Sequence, residues 1–225
     1  MDFYREWQDC HETEKEKHYI DSFLNSSPQS LECLLNGDRE SIKIAMAVLL
    51  SVPISKFVAS INSASKFIAR DIIQYSNFDR AITSVCACCE FEKQGLSFEE
   101  LGKRIMNSKL DGACTKYGEN HAKFAEILSF VNITNKKPLL VTNTSLGTFS
   151  LSLTKNEKYE LVKRLAIRNP FVKTLIYRAK EGTIQYYELA AGVLSTSTCI
   201  RRRTNVKFVT SLILLDEPEK NNIVW

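Results

Sequence analysis

The chain is poor in glycine and proline, with 8 and 5 among its 225 residues. That scarcity excludes collagen-like and low-complexity architectures and leaves few forced breaks in the backbone. Long apolar runs are missing as well. The longest, "IAMAVLLSVPI" over 44–54, is too short to span a bilayer, and no basic start leads into an apolar stretch at the N-terminus. Seven cysteines make an odd number, three of them crowd into "CACC" at 86–89, and no spaced disulfide framework can be drawn through them. A soluble, cytoplasmic protein with reduced thiols and no membrane partner is expected.

Catalytic signatures are missing in the same way. No Asp or Glu stands two residues before a Lys, so the metal site of PD-(D/E)xK nucleases is absent. No G-x-x-x-x-G-K-[ST], G-x-G-x-x-G or G-x-S-x-G occurs, so phosphate-cradling loops and a nucleophile elbow lack their backbone requirements. Histidine is limited to His11, His18 and His121. His11 and His18 share one side of a helix, beside Cys10, but the ligand set is incomplete. Cys86, Cys88, Cys89 and Cys114 lack the C-x-x-C bite of a zinc site and read as small apolar core residues. No enzyme activity, metal or cofactor is expected.

What is present is an ordinary mixture of 44% hydrophobic and 25% charged residues, which points to a helix-rich globular chain. Its net charge of +4 is uneven: −4 over residues 1–60, +2 over 61–153 and +6 over 154–225. Such asymmetry suggests a polyanionic partner for the C-terminal part.

Three regions follow. Residues 1–80 read as an N-terminal helical region for dimerisation or docking of a protein partner. Helices break at "NSSPQS" and "NGDRES", "ETEKEK" marks a solvated helix face, and apolar residues from Ile42 to Ile72 recur at helical spacing around a break at Pro53. Residues 81–153 read as a first module of three helices, with "PLLVTNTSLGTFSLSL" forming two strands around a turn at Gly147. Ser97 and Glu100 have capping-box spacing, and Lys116, Glu119, Lys123 and Glu126 give the third helix a charge-balanced face. Residues 154–225 repeat the plan. A linking helix is followed by helices from Pro170, in "TIQYYELAAG" and in "STSTCIRRRTNVKFVTSLILL", and "DEPEKNNIVW" returns as a short strand. The fold class is mainly α with small β-hairpin wings.

The stretch "LSTSTCIRRRTNVKFV", 194–209, carries the function-bearing pattern. A helix ends near Gly192, Ser195 is placed to cap the next, and Val206, Val209 and Ile213 fall with Cys199 on one stripe. Successive arginines point about 100° apart, so they cannot share one role. Arg201, Thr204 and Asn205 lie outside the stripe and are candidates for base edges. Arg202 sits beside it, suited to a phosphate or an internal carboxylate. Arg203 and Lys207 suit backbone phosphates, and Ser195, Ser197 and Thr198 suit phosphates or the helix cap. Ile200 and Phe208 fall on or near the exposed side, as in a partner surface.

This stretch resembles the C-terminal winged-helix segment of bacterial proteins linked to restriction and anti-phage loci, which reads roughly L-S-x-S-T-x-x-R-R-x-S/T-T-hydrophobic. Leu194, Ser195, Ser197, Thr198, Arg201, Arg202, Thr204 and Val206 occupy the matching positions, and Val209 stands where that pattern has Trp. The resemblance implies tandem winged helix-turn-helix modules and binding of double-stranded DNA, by a transcription regulator or a recognition component of an antiviral defence system. By length and tandem organisation the chain also resembles accessory subunits of SMC–kleisin complexes, which act mainly through protein contacts.

Overall fold

The computed structural model describes residues 13–25, 31–74, 79–106 and 111–225. Cys10 and His11, weighed above as metal ligands, lie outside the described residues. In chain order the elements are α1 (Thr13–Asn25), α2 (Glu32–Asn36), α3 (Arg39–Ser51), α4 (Ile54–Ser60), a π-helical turn (Asp79–Ser84) leading into α5 (Val85–Cys89), β1 (Leu96–Ser97), α6 (Phe98–Met106), α7 (Asp111–Ile127), β2 (Val131–Ile133), β3 (Leu140–Asn143), α8 (Ser145–Ser150), α9 (Lys155–Ala166), α10 (Pro170–Glu181), β4 (Ile184–Gln185), α11 (Tyr186–Ala191), α12 (Thr196–Ile213) and β5 (Ile223–Val224). The protein is mainly helical, as expected, with a three-stranded antiparallel sheet ordered β1-β3-β2 and a two-stranded parallel pair β4-β5. Among the described residues no single helix is long and apolar enough to cross a membrane. The α3–α4 pair reaches the length only with a 75° bend.

The chain forms two units. One combines 1–31, 44–76 and 160–225, and the other combines 32–43 with 77–159. In the second unit α6 begins as its sequence requires. Glu100 accepts from the backbone N and Oγ of Ser97 at 2.9 and 2.7 Å, which closes the capping box. α6 then meets α7 at two glycines. A Cβ on Gly102 would stand 1.8 Å from the Cys114 carbonyl oxygen, and one on Gly118 would stand 1.9 Å from that of Phe98, so only glycine allows the two backbones to meet. Cys86, Cys89 and Cys114 are buried in this unit, the core placement expected of them, whereas Cys88 is only half-buried. Burial pushes the Cys86 and Cys89 thiols up to about 12.

The hairpin lies one segment earlier than the sequence suggested. Its strands are β2 and β3, paired with Val131 opposite Asn143 and Ile133 opposite Val141, and Gly147 belongs to helix α8 instead of a turn. The reason is local. Thr144 is buried, donates to the carbonyls of Ser129 and Phe130, and accepts from Gly147 N at 3.0 Å, so it starts a helix where a second strand was expected. Gly147 also lies so close to the Phe130 carbonyl that a Cβ would be 2.0 Å from its oxygen.

In the first unit the C-terminal helices begin where Pro170 and Ser195 place them, and β5 forms in the expected tail. Among the described residues β5 pairs in parallel with β4, so no hairpin closes this half, contrary to the expected second wing. A second departure is residues 61–74. Their helical spacing yields only a short 3₁₀ turn, Ala69–Asp71, in otherwise irregular backbone. This strap is buried through Ile61, Ile72 and Ile73 and tied by side chains from distant helices. Thr174 bonds Ser65 through both its donor and acceptor roles at 2.8 and 2.9 Å, and Lys180 donates to the carbonyls of Ala59 and Ile61, both at 2.8 Å.

The same device closes the helix ends. Arg164, 4% exposed, donates to the carbonyls of Leu49 at 2.8 Å and Val52 at 2.7 Å, where Pro53 has ended α3. Arg168 donates to Phe23 O at 2.9 Å, and Lys173 bonds the Asn25 side chain, both at the C-terminus of α1. Burial draws Arg168 down to about 10, so it remains charged at neutral pH.

Two expectations follow. Gly118→Ala should cost about 3 kcal/mol of stability, read from denaturant unfolding, because the clash is with backbone and cannot be relieved by a rotamer. In the native protein Cys86, Cys89 and Cys114 should resist iodoacetamide at pH 8 and react after unfolding; rapid native labelling of all three would contradict the packing.

Candidate nucleic-acid interface

α11 ends at a tight turn in which Leu194 N reaches the Ala190 carbonyl at 3.0 Å, and α12 starts immediately after Ser195. Cys199, Val206, Val209 and Ile213 are buried, so the stripe read from the sequence is the inner face of α12. α11 braces it: the buried Tyr186 donates its hydroxyl to the Cys199 carbonyl at 3.2 Å. Tyr186 in turn packs edge-on to Phe171 and stacks on Trp225 from the C-terminal tail. These contacts fix the roll of α12 and therefore which side chains face solvent.

The nine candidate residues separate into three groups. Arg202 and Asn205 turn toward the strap. Arg202 Nη1 donates to the carbonyls of Ala69 at 2.6 Å and Ile72 at 2.9 Å, and Asn205 Nδ2 donates to that of Gln74 at 2.7 Å. The internal partner foreseen for Arg202 exists, but it is backbone and not a carboxylate. The base-edge position expected for Asn205 gives way to this bond, since an amide donating inward is no longer free to pair with adenine. Burial lowers the Arg202 pKa, and the two carbonyls compensate part of that desolvation.

Arg203 and Lys207 form a second group that rests on aromatic rings. Arg203 lies over Tyr187 at 5.7 Å and Lys207 over Trp225 at 6.0 Å. Lys207 is exposed and Arg203 half-buried, so both charges stand at the margin of the helix.

The third group is Ser195, Ser197, Thr198, Arg201 and Thr204. Ser195 occupies the cap position, but its side chain makes no capping bond. Instead Ser195 Oγ donates to Thr198 Oγ1 at 3.0 Å, and Arg201 Nη2 donates to the same oxygen at 3.1 Å. The hydroxyls thus steady a guanidinium on the outer face. Arg201 and Thr204 are exposed, and so are Ile200 at 53% and Phe208 at 40%. α12 carries four cations and no carboxylate over 18 residues.

The positive balance of 154–225 is smaller at the surface than in the sequence. Arg164, Arg168, Lys173 and Arg202 all donate to carbonyls or side chains within their own unit. In the other unit the outer face of α7 is neutralised as expected, with Lys116 and Lys123 both bonded to Glu119. A basic feature that sequence reasoning missed lies at the tip of the β2–β3 hairpin, where Lys136 and Lys137 are exposed. Thr134 organises that tip, accepting from Leu140 N at 2.9 Å and donating to Pro138 O at 3.2 Å. The usable signal was "KKP" between two short β-prone runs.

No protein-family model, no curated protein and no solved structure matches the chain. The assignment of Arg202 and Asn205 to the interior has a direct check. Arg202→Ala and Asn205→Ala should each lower stability, by about 1–3 kcal/mol in thermal or denaturant unfolding, since each removes a donor from part-buried carbonyls of the strap. Unchanged stability in both would place these side chains outside the packing.

Proposed function

We propose that this chain is a non-enzymatic DNA-binding protein, a regulator or the DNA-recognition component of a defence-type system, acting through the exposed face of α12. The observation that carries the reading is the composition and setting of that face. A helix free of carboxylates follows a tight helix–turn, and Arg201, Thr204 and Lys207 face outward from it. In this reading α10, α11 and α12 form a helix-turn-helix whose last member enters the major groove. Arg201 pairs with a guanine, Thr204 lies against a neighbouring base edge, and Lys207, Arg203 and the Ser195 and Ser197 hydroxyls grip phosphates. Asn205 and Arg202 leave the contact set and act by holding the helix.

The element order of residues 79–143 supports a winged-helix module: helix, short strand, two helices, then two strands, with β3 central in the sheet. Its wing is the hairpin bearing Lys136 and Lys137. The second module is a shortened version whose tail strand replaces a wing. A protein-docking role for the first module, as in an accessory subunit of an SMC–kleisin type complex, is favoured by one observation, the neutral α7 surface set by Glu119.

The test is retention of random duplex DNA by the purified chain at two salt concentrations. Arg201→Ala should cost about 1–3 kcal/mol on the preferred site and relax one base position. Lys207→Ala should weaken all duplexes alike and reduce the salt slope by about one. Equal losses on every sequence for Arg201→Ala would remove its base-reading role. Absence of retention near physiological salt, with co-purification of a coiled-coil ATPase, would establish the subunit reading in its place.

A further inference from the structure

The outer face of α12 holds an unusual reading set. Ile200 and Thr204 are four residues apart, Arg201 and Thr204 three, and Thr204 and Phe208 four, so these side chains share one helical surface. Ile200 is 53% exposed in the second turn, where a helix end would reach base edges. Beside it the Arg201 guanidinium is restrained through Thr198 and Ser195. No Asn or Gln lies on this face, because Asn205 donates to the strap. The bidentate amide that reads adenine is therefore missing. For an A·T pair in the major groove, the distinctive feature left within reach of an aliphatic side chain is the thymine 5-methyl group.

We infer that Ile200 packs on the methyl group of a thymine adjacent to the guanine read by Arg201, so that the bound sequence contains neighbouring T and G. This rests on the DNA-binding reading above and names what that site selects. The surrounding charge commits the exposed isoleucine to this occupant: on the helix it stands beside Arg201 and Arg203 among Ser and Thr hydroxyls, with no carboxylate in the helix, a surface complementary to a phosphate-lined groove. Burying one methyl group in this way is expected to favour thymine about three- to fivefold.

The experiment uses the full chain. Duplexes enriched from a random pool are resynthesised with deoxyuridine in place of each thymine in turn, which removes only the methyl group. One substitution, next to the guanine whose preference is lost in Arg201→Ala, should weaken binding about three- to fivefold. Ile200→Ala should bind the thymine and uracil forms alike with the same salt slope as the parent; Ile200 is largely solvent-exposed, so its truncation leaves the core untouched. Equal binding of both forms at every position, or discrimination that persists in Ile200→Ala, would overturn the methyl contact while leaving DNA binding in place. Salt-sensitive retention without enrichment would do the same. Failure to retain any duplex would instead overturn the underlying DNA-binding reading, and an apolar docking face for a protein would then be the better account of Ile200 and Phe208.

Discussion

Backbone carbonyls without helical partners set the terms on which one unit of this protein is built. Between residues 49 and 74 the chain leaves a helix at Pro53, makes a short second helix and then runs as an irregular strap. A buried carbonyl left without a donor costs on the order of 1–3 kcal/mol, so such a stretch can be packed only if donors are brought to it. They come from far along the sequence: Arg164 to residues 49–52, Lys180 to 58–61, Thr174 to 65, Arg202 to 69 and 72, and Asn205 to 74. Three helices each contribute, and the strap runs in register with them. The orientation of α12, and so the identity of its solvent-facing side chains, follows from satisfying those carbonyls.

This arrangement changes what a run of basic residues means. Three consecutive arginines look like one surface, but the helix assigns them three environments. Arg201 is outside and steadied by Thr198, Arg202 is committed to the strap, and Arg203 lies against Tyr187. Local electrostatics at the proposed interface is consequently sparse. A few cations placed by hydroxyls and aromatic rings do the positioning, and long-range attraction from a highly basic domain contributes less than the sequence charge suggests.

Much of the C-terminal half was legible because its signals are local. Pro170 at a helix start, the turn after Ala190 and the buried spacing of Val206, Val209 and Ile213 each act within a few residues, as does the Ser97–Glu100 box in the other unit. The outward placement of Arg201, Thr204 and Lys207 follows from the same periodicity. What escaped was decided at a distance. Asn205 lies outside the core stripe, yet its acceptor is 131 residues earlier in the chain. Ile61, Ile68 and Ile72 have helical spacing, but the strap is stabilised by donors that no local window contains. The hairpin was displaced for a different reason: Gly147 has the residue type of a turn, whereas its role is to let α8 approach the Phe130 carbonyl.

The strap also imposes an order on synthesis. Its acceptors leave the ribosome first, and the donors that bond them follow 109 to 133 residues later, after the whole of 77–159 has been made. At typical elongation rates that interval is on the order of ten seconds. Throughout it the apolar α3–α4 segment and the bare carbonyls behind it have no finished partner surface, while the intervening unit is free to fold on contacts of its own. The nascent chain is thus asymmetric in time: the acceptors of the strap wait for donors on α9, α10 and α12, which are made last.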